Sequence, residues 1–266
     1  MQKSKETGNP VVYIWNSMSL LFLSGIHTSM HSHYAYEIYI SKNSFFEMDF
    51  GFGLRKYNGI IINSDVPHKF SSKNGTCLLI LINPAHSLAG KYLRNILNSK
   101  PYKEFDSTQT EEIISDLYRY RQKNMGYNCA INHVSGLLKI ISGELPENCF
   151  YDSRIEKAIT LIHKTYKENF TLSFLASEIG LSKSRIRHLF KEQTGITISK
   201  YILNIRLIEA IKIIINGYTK TYAAHESGFS DSAHLSRTFK RIYGLTLSDI
   251  YKNRHKIISD FIAKKS

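Results

Sequence analysis

The chain has few cysteines, few acidic residues and no long apolar run. Its three cysteines, Cys77, Cys129 and Cys149, are odd in number and widely spaced. That excludes a disulfide framework and a paired-cysteine zinc motif, and fits reduced thiols in a cytoplasmic protein. Runs such as Leu78-Leu79-Ile80-Leu81-Ile82 are strand-sized and too short to cross a bilayer. Residues 1–8 hold no apolar core of the kind a secretion signal needs. A soluble protein with no membrane partner is expected. Acidic residues are outnumbered unevenly. From Tyr151 onward 20 Lys and Arg stand against 10 Asp and Glu, whereas the first 150 residues have 15 against 12. The later part is therefore suited to neutralising phosphates.

That basic part contains one pattern twice. The first copy runs from Thr171 through Leu175-Ala176 and Gly180-Leu181-Ser182 into Lys183-Ser184-Arg185-Ile186-Arg187-His188-Leu189-Phe190-Lys191. The second runs from Tyr222 through Gly228-Phe229-Ser230 into Asp231-Ser232-Ala233-His234-Leu235-Ser236-Arg237-Thr238-Phe239-Lys240. In each, a short helix ends at a glycine, a turn follows, and a basic helix opens near a serine. Gly195 and Gly244 follow soon after. Ile186, Leu189, Phe190, Leu235 and Phe239 take the core side, leaving the opposite face free for donors, as a helix entering a major groove requires. Between the copies, Ile198 to Gly217 reads as a long helix. Its roughly 18 helical residues span about 27 Å at 1.5 Å per residue, close to the ~34 Å turn of DNA. Two adjacent major-groove segments are within reach of one chain.

Upstream, the pattern is β. Val11 to Trp15, Ser19 to Leu23, Tyr36 to Ile40, Gly59 to Ile62 and Cys77 to Leu81 are short β-branched or aromatic runs. Asn43-Ser44, Asn63-Ser64-Asp65 and Lys73-Asn74-Gly75 punctuate them, which suggests a barrel or jelly roll. After Pro84 the apolar residues recur at helical spacing: Leu88, Tyr92, Leu93, Ile96 and Leu97, then Ile113 to Tyr120, then Ile131 to Ile141. Such helices either mediate self-association or cover the barrel. Residues 144–148 make a natural boundary. The expected fold is α+β in two domains: a barrel over 1–85 with an attached helical dimerisation or linker segment over 86–148, and an all-helical domain over 149–266.

From Ile155 to Tyr251 the sequence resembles the AraC/XylS family of bacterial transcription regulators. Leu175-Ala176, Gly180-Leu181-Ser182, Leu189-Phe190-Lys191, Gly195, Tyr201, Arg206, Ala210, Gly228-Phe229-Ser230, Arg237-Thr238-Phe239-Lys240, Gly244 and Tyr251 carry the likeness. Leu247 stands where the family usually has proline, Lys252 where arginine is usual, and Ala224-His225 replaces a more apolar pair. The resemblance implies DNA contacts from Ser184, Arg187, His188 and Lys191 in the first recognition helix and from Ser232, Ala233, His234 and Arg237 in the second. Arg185 is a further candidate. Arg187 suits a bidentate contact to guanine and Lys191 a phosphate. Because Ser232 and Ala233 are short, the second motif is expected to read fewer bases and act mainly as a clamp.

Gly25, His31, His33 and Glu37 fit the first half of the cupin metal motif, and Val66-Pro67-His68 supplies a histidine for the second. Imidazoles two residues apart on a strand point the same way. Ser44 replaces the motif's later glycine. The four residues read either as a divalent-metal site, as in the cupin enzymes, or as packing or ligand-contacting residues with no metal. AraC-type regulators commonly keep such a barrel as a sensor without catalysis. The resemblance thus implies a non-enzymatic, dimeric, cytoplasmic activator that binds double-stranded DNA, recruits RNA polymerase and answers to a small-molecule effector, with no resident cofactor. Two alternatives are a metal-dependent cupin enzyme fused to a DNA-binding domain and a non-specific architectural DNA binder.

Overall fold

Burial on both faces is the mark of the central strands. β3 (Tyr36–Ser41) and β8 (Thr76–Ile82) are buried along almost their whole length, while β2 (Met18–Ser24) alternates at first. In this computed structural model they lie at the middle of a seven-stranded sheet with order β10-β1-β2-β8-β3-β6-β9. Its other members are β1 (Val11–Ile14), β6 (Gly59–Ile62), β9 (Tyr102–Glu104) and β10 (Ile257–Ser259). A second sheet has three strands, β4 (Phe46–Asp49), β5 (Arg55–Tyr57) and β7 (Lys69–Ser71), in the order β5-β4-β7. The structure describes residues 11–15, 17–42, 44–72, 76–85, 87–120, 125–143, 151–167, 170–243, 246–252 and 257–259. Residues 1–8, Asn43, Lys73-Asn74-Gly75, the boundary at 144–148, Cys149 and Gly244 lie outside them.

The two-residue period of a strand divides the large sheet's side chains between two cores. Tyr36, Ile38 and Ile40 of β3 and Leu78, Ile80 and Ile82 of β8 join one cluster with α1 (Ser87–Leu97), α2 (Glu111–Tyr120) and α3 (Tyr127–Ser142). Tyr39, Leu79 and Leu81 turn to the other side, where Phe46, Met48, Tyr57 and Phe70 of the small sheet meet them. Glu37 shares that inner face. Each large apolar side chain so enclosed contributes about 1.5–3 kcal/mol, which explains why the helices cover one face and the small sheet the other. The barrel expected from sequence is therefore a pair of facing sheets among the described residues, with an α+β architecture overall.

The C-terminal half is helical: α4 (Ser153–Thr165), α5 (Leu172–Ile179), α6 (Lys183–Thr194), α7 (Ile198–Ile215), α8 (Lys220–Glu226), α9 (Ser232–Tyr243) and α10 (Leu247–Lys252). It has two cores. One gathers α4, α5 and α6 around Ile155, Ile162, Leu175, Ile186 and Phe190, and the other gathers α8, α9 and α10 around Ala223, Leu235, Phe239 and Leu247. α7 supplies both, through Tyr201 and Ile205 to the first and Leu207, Ala210, Ile211 and Ile214 to the second. Leu247, where the resemblance expects proline, opens α10 and is buried.

The halves touch at several points. The edge strand β10 pairs in parallel with β1, with Val12 opposite Ile257 and Ile14 opposite Ser259. Ile14 also belongs to the second helical core. Lys200 of α7 pairs with Asp65, and the Tyr151 hydroxyl donates to the Pro84 carbonyl at 3.2 Å.

Candidate nucleic-acid interface and buried histidine cluster

Each two-helix unit is set by its caps. The Thr171 hydroxyl accepts from the Phe174 amide at 3.1 Å and starts α5. Gly180 ends it at φ 70°, ψ 33°, the left-handed conformation that glycine adopts without steric cost. Ser182 then caps α6, accepting from the Arg185 amide at 3.2 Å. In the second unit Thr219 caps α8, and Asp231, one residue before the expected serine, accepts from the His234 amide at 2.6 Å to open α9.

These caps aim the helices as the apolar spacing requires. Ile186, Leu189 and Phe190 are buried, while Ser184, Arg185, Arg187, His188 and Lys191 are exposed on α6. On α9, Leu235 and Phe239 are buried, Ala233, His234 and Arg237 are exposed, and Ser232 is half-buried. Arg187 and Lys191 occupy one open stripe four residues apart. His188 faces Glu192 at 3.5 Å. His234 is more constrained: its Nδ1 lies 3.1 Å from the Ser230 hydroxyl and its ring meets Phe229 edge-on at 5.3 Å.

The other predicted set converges inside the N-terminal half. His31 and His68 bridge as antiparallel neighbours, with amide–carbonyl bonds of 3.0 and 2.9 Å in the two directions. His31, His33 and His68 bring their ligand atoms within 4.8 Å of one another, and all are buried. Glu37, fully enclosed, places Oε2 3.3 Å from His68 Nε2 and 3.5 Å from His33 Nε2. His31 Nε2 and His33 Nε2 are 3.1 Å apart. Tyr39, one of the aromatic residues of the N-terminal half, joins them, donating to Glu37 Oε2 at 3.0 Å. Its position two residues after Glu37 on the same strand face is the signal that identifies it.

Electrostatics keep most of this cluster neutral. Burial, then the neighbouring His33 and His68, holds His31 down to about 4. Burial, then His68, depresses His33. Burial also pulls on His68, but the Glu37 carboxylate outweighs it and holds that imidazole above its ordinary value. Burial and then Glu37 push the Tyr39 phenol well up.

The donor set fits a divalent transition metal. His31 Nδ1 lies 2.8 Å from the Ser29 carbonyl and His68 Nδ1 2.9 Å from the Val66 carbonyl, contacts that assign the proton to Nδ1 and leave Nε2 lone pairs facing the cluster. Two buried atoms there, Glu37 Oε1 and His33 Nδ1, have no hydrogen-bond partner among the described residues. The three imidazoles, with ligand atoms within 4.8 Å of one another, form the metal-capable group, and Glu37 Oε2 lies beside two of them at 3.3 and 3.5 Å. A metal there would act as a fixed positive centre joining the three imidazoles beside the Glu37 carboxylate.

Comparisons place the helical half among known proteins. A family model described as a helix-turn-helix domain matches residues 175–253. The HTH-type transcriptional regulator YidL of Escherichia coli (strain K12) is 32% identical over 101 residues, 38% of this chain and 34% of that protein. The transcriptional activator RhaR of Mannheimia succiniciproducens is 27% identical over 121 residues, 44% of each. The activator RhaS of Salmonella schwarzengrund is 27% identical over 108 residues, 40% of this chain and 39% of that protein. The chain thus spans about a third to under half of the length of these curated relatives. ToxT from Vibrio cholerae shares the fold with a TM-score of 0.58 at 15% identity, over 88% of this chain and 97% of that one. Residues 175–253 are a helix-turn-helix domain of the AraC type, and this domain is the part of the chain that the relatives resemble.

Proposed function

We propose that this chain is a sequence-specific regulator of transcription that binds double-stranded DNA and acts by binding, not by catalysis. The observation that carries the reading is the pair of recognition helices, α6 and α9. Each is held from behind by buried apolar residues and presents basic or polar side chains in front. α7, 18 residues long, sets their separation on the scale of one DNA turn. In this reading Arg187 reads guanine and Lys191 holds a phosphate, with Ser184, Arg185 and His188 beside them. Arg237, with Ser232, Ala233 and His234, gives α9 a smaller role as a clamp. The buried histidine cluster and its surroundings in residues 1–85 form the effector-binding part, the helices of 86–148 the homodimer surface, and residues 149–266 the DNA-binding part. The names of the activators RhaS and RhaR favour activation; contact with RNA polymerase, in the cytoplasm, completes the reading.

Selection of sites from a random DNA pool tests this, with wild type and Arg187→Ala compared at two salt concentrations. The expected result is a consensus spanning two segments about 10 base pairs apart, relaxed at defined bases by the substitution. Binding without a consensus, falling with salt alike for both proteins, would leave only phosphate neutralisation and overturn sequence-specific regulation.

A further inference from the structure

The buried cluster is not isolated from the DNA-binding half. Tyr243, the last residue of α9, lays its ring 5.4 Å from that of His33 at 59°. On its other side the same ring meets Phe239 at 4.7 Å, and Phe239 is the buried anchor of the second helical core. His33, Tyr243 and Phe239 therefore form a continuous line of rings from the inner face of the sheets into α9. Tyr243 packs against both the core between the sheets and the core of the second motif.

The histidine at this contact differs from the other two. His31 and His68 are each anchored by a backbone carbonyl at Nδ1, whereas His33 Nδ1 is buried without a partner among the described residues. The histidine without a backbone anchor at Nδ1 is the one that touches α9. Its flanking chain also leads to α7. The Asp65 amide donates to the His33 carbonyl at 2.8 Å, Asp65 pairs with Lys200, and the Lys200 ammonium lies 5.2 Å from the ring centre of Tyr34. The segments that carry His33 and His68 thus hold both the linker helix and the second recognition helix.

We infer that a divalent transition-metal ion bound by His31, His33, Glu37 and His68 fixes the His33 ring against Tyr243 and so holds α9, making the second motif the part of the DNA-binding half that senses the metal. This rests on the reading of α9 as a recognition helix. Two sites coupled in this way must obey reciprocity: if the metal changes DNA affinity by some factor, DNA changes metal affinity by the same factor.

The test uses the full chain and zinc ions, added and then withdrawn with a chelator. Three readouts are taken: metal bound per chain, hydrogen exchange of the α9 amides, and affinity for a selected DNA duplex. Wild type should bind one zinc per chain, slow exchange in α9, and shift its DNA dissociation constant at least about fivefold. Glu37→Gln with His31→Ala should lose the metal. Tyr243→Ala should keep the metal but lose the change in α9 exchange and the DNA shift, while Tyr243→Phe, which keeps the ring, should retain both. No stoichiometric zinc in wild type would overturn the inference, as would zinc that leaves α9 exchange unmoved or a Tyr243→Ala protein that responds like wild type. Absence of DNA binding in every state, with the α9 response intact and dependent on Tyr243, would defeat the regulator reading and leave the metal-to-helix coupling standing.

Discussion

Arg94 of α1 donates from its guanidinium to the carbonyl of Glu192 at 2.7 Å, so a helix of the N-terminal half caps the last turn of α6. A cation at a helix C-terminus meets both an orphan carbonyl and the negative end of the helix dipole.

Arg94→Ala removes that cap. A hydrogen bond to a charged group contributes about 1.5–3 kcal/mol when enclosed, and the exposed setting of this one reduces it to about 1 kcal/mol. At about 2–4 °C per kcal/mol for a chain of this size, the melting temperature should fall by a few degrees. An unchanged thermal midpoint would show that the contact does not hold the halves together.

The local parts of this arrangement are legible in the sequence, and the distant ones are not. Gly180, Ser182 and Gly195 announce helix ends because each answers a backbone requirement within four residues. The division of Ile186, Leu189 and Phe190 from Arg187 and Lys191 follows from helical periodicity. His31, His33 and Glu37 are placed on one side by their spacing, and His68, legible as the second half of the motif, meets them as the bridge partner of His31. By contrast β5 and β7 are three-residue strands, with Arg55, Lys56 and Lys69 exposed, too short to give a period. β9 lies within a stretch read as helical, and β10 follows the last helix to pair with β1, more than 200 residues away. The Tyr243–His33 contact has no local signal, because neither residue's neighbours specify a partner that distant in the chain.

Lys191 is exposed on α6, one turn beyond Arg187. In the proposed role of a phosphate contact it would carry no base information, so Lys191→Ala should weaken binding to all duplexes by a similar factor. The slope of log affinity against log salt should become shallower by about 1, the share of one phosphate contact. Measuring both slopes on a specific and an unrelated duplex distinguishes this from base reading, for which only the specific duplex would lose affinity.

His163 of α4 places Nε2 3.0 Å from the Tyr201 hydroxyl of α7. Burial, and then the charge of Lys212, holds its folded-state value below the ordinary one. Between that depressed value and about 6.5 the folded chain binds fewer protons than the unfolded chain. The contribution of neutral His163 is therefore complete above about pH 6.5 and is lost as the pH falls from there through the folded value. Between about pH 6.5 and the folded value, thermal midpoints should drop more steeply on acidification in wild type than in His163→Gln, and below the folded value the two curves should run parallel. Curves parallel throughout would mean that this histidine titrates alike in both states.

Gly195 ends α6 at φ 77°, with its amide donating to the Lys191 carbonyl at 2.8 Å. A Cβ built there would lie 3.1 Å from the Tyr36 hydroxyl and 3.3 Å from a terminal nitrogen of Arg94. Gly180 adopts a similar conformation, at φ 70°, but a Cβ there would meet nothing within 4 Å. The two alanine variants thus separate backbone strain from crowding at the junction of the halves. Gly180→Ala should cost about 1 kcal/mol, the left-handed penalty alone. Gly195→Ala should cost more, because Tyr36 and Arg94 must give way as well, and the excess should shrink when Arg94→Ala is added, since the two changes share a partner. Urea denaturation of the two single variants and the double variant measures all three terms. Equal costs at the two glycines would show that α6 is not pressed against the N-terminal half at this point.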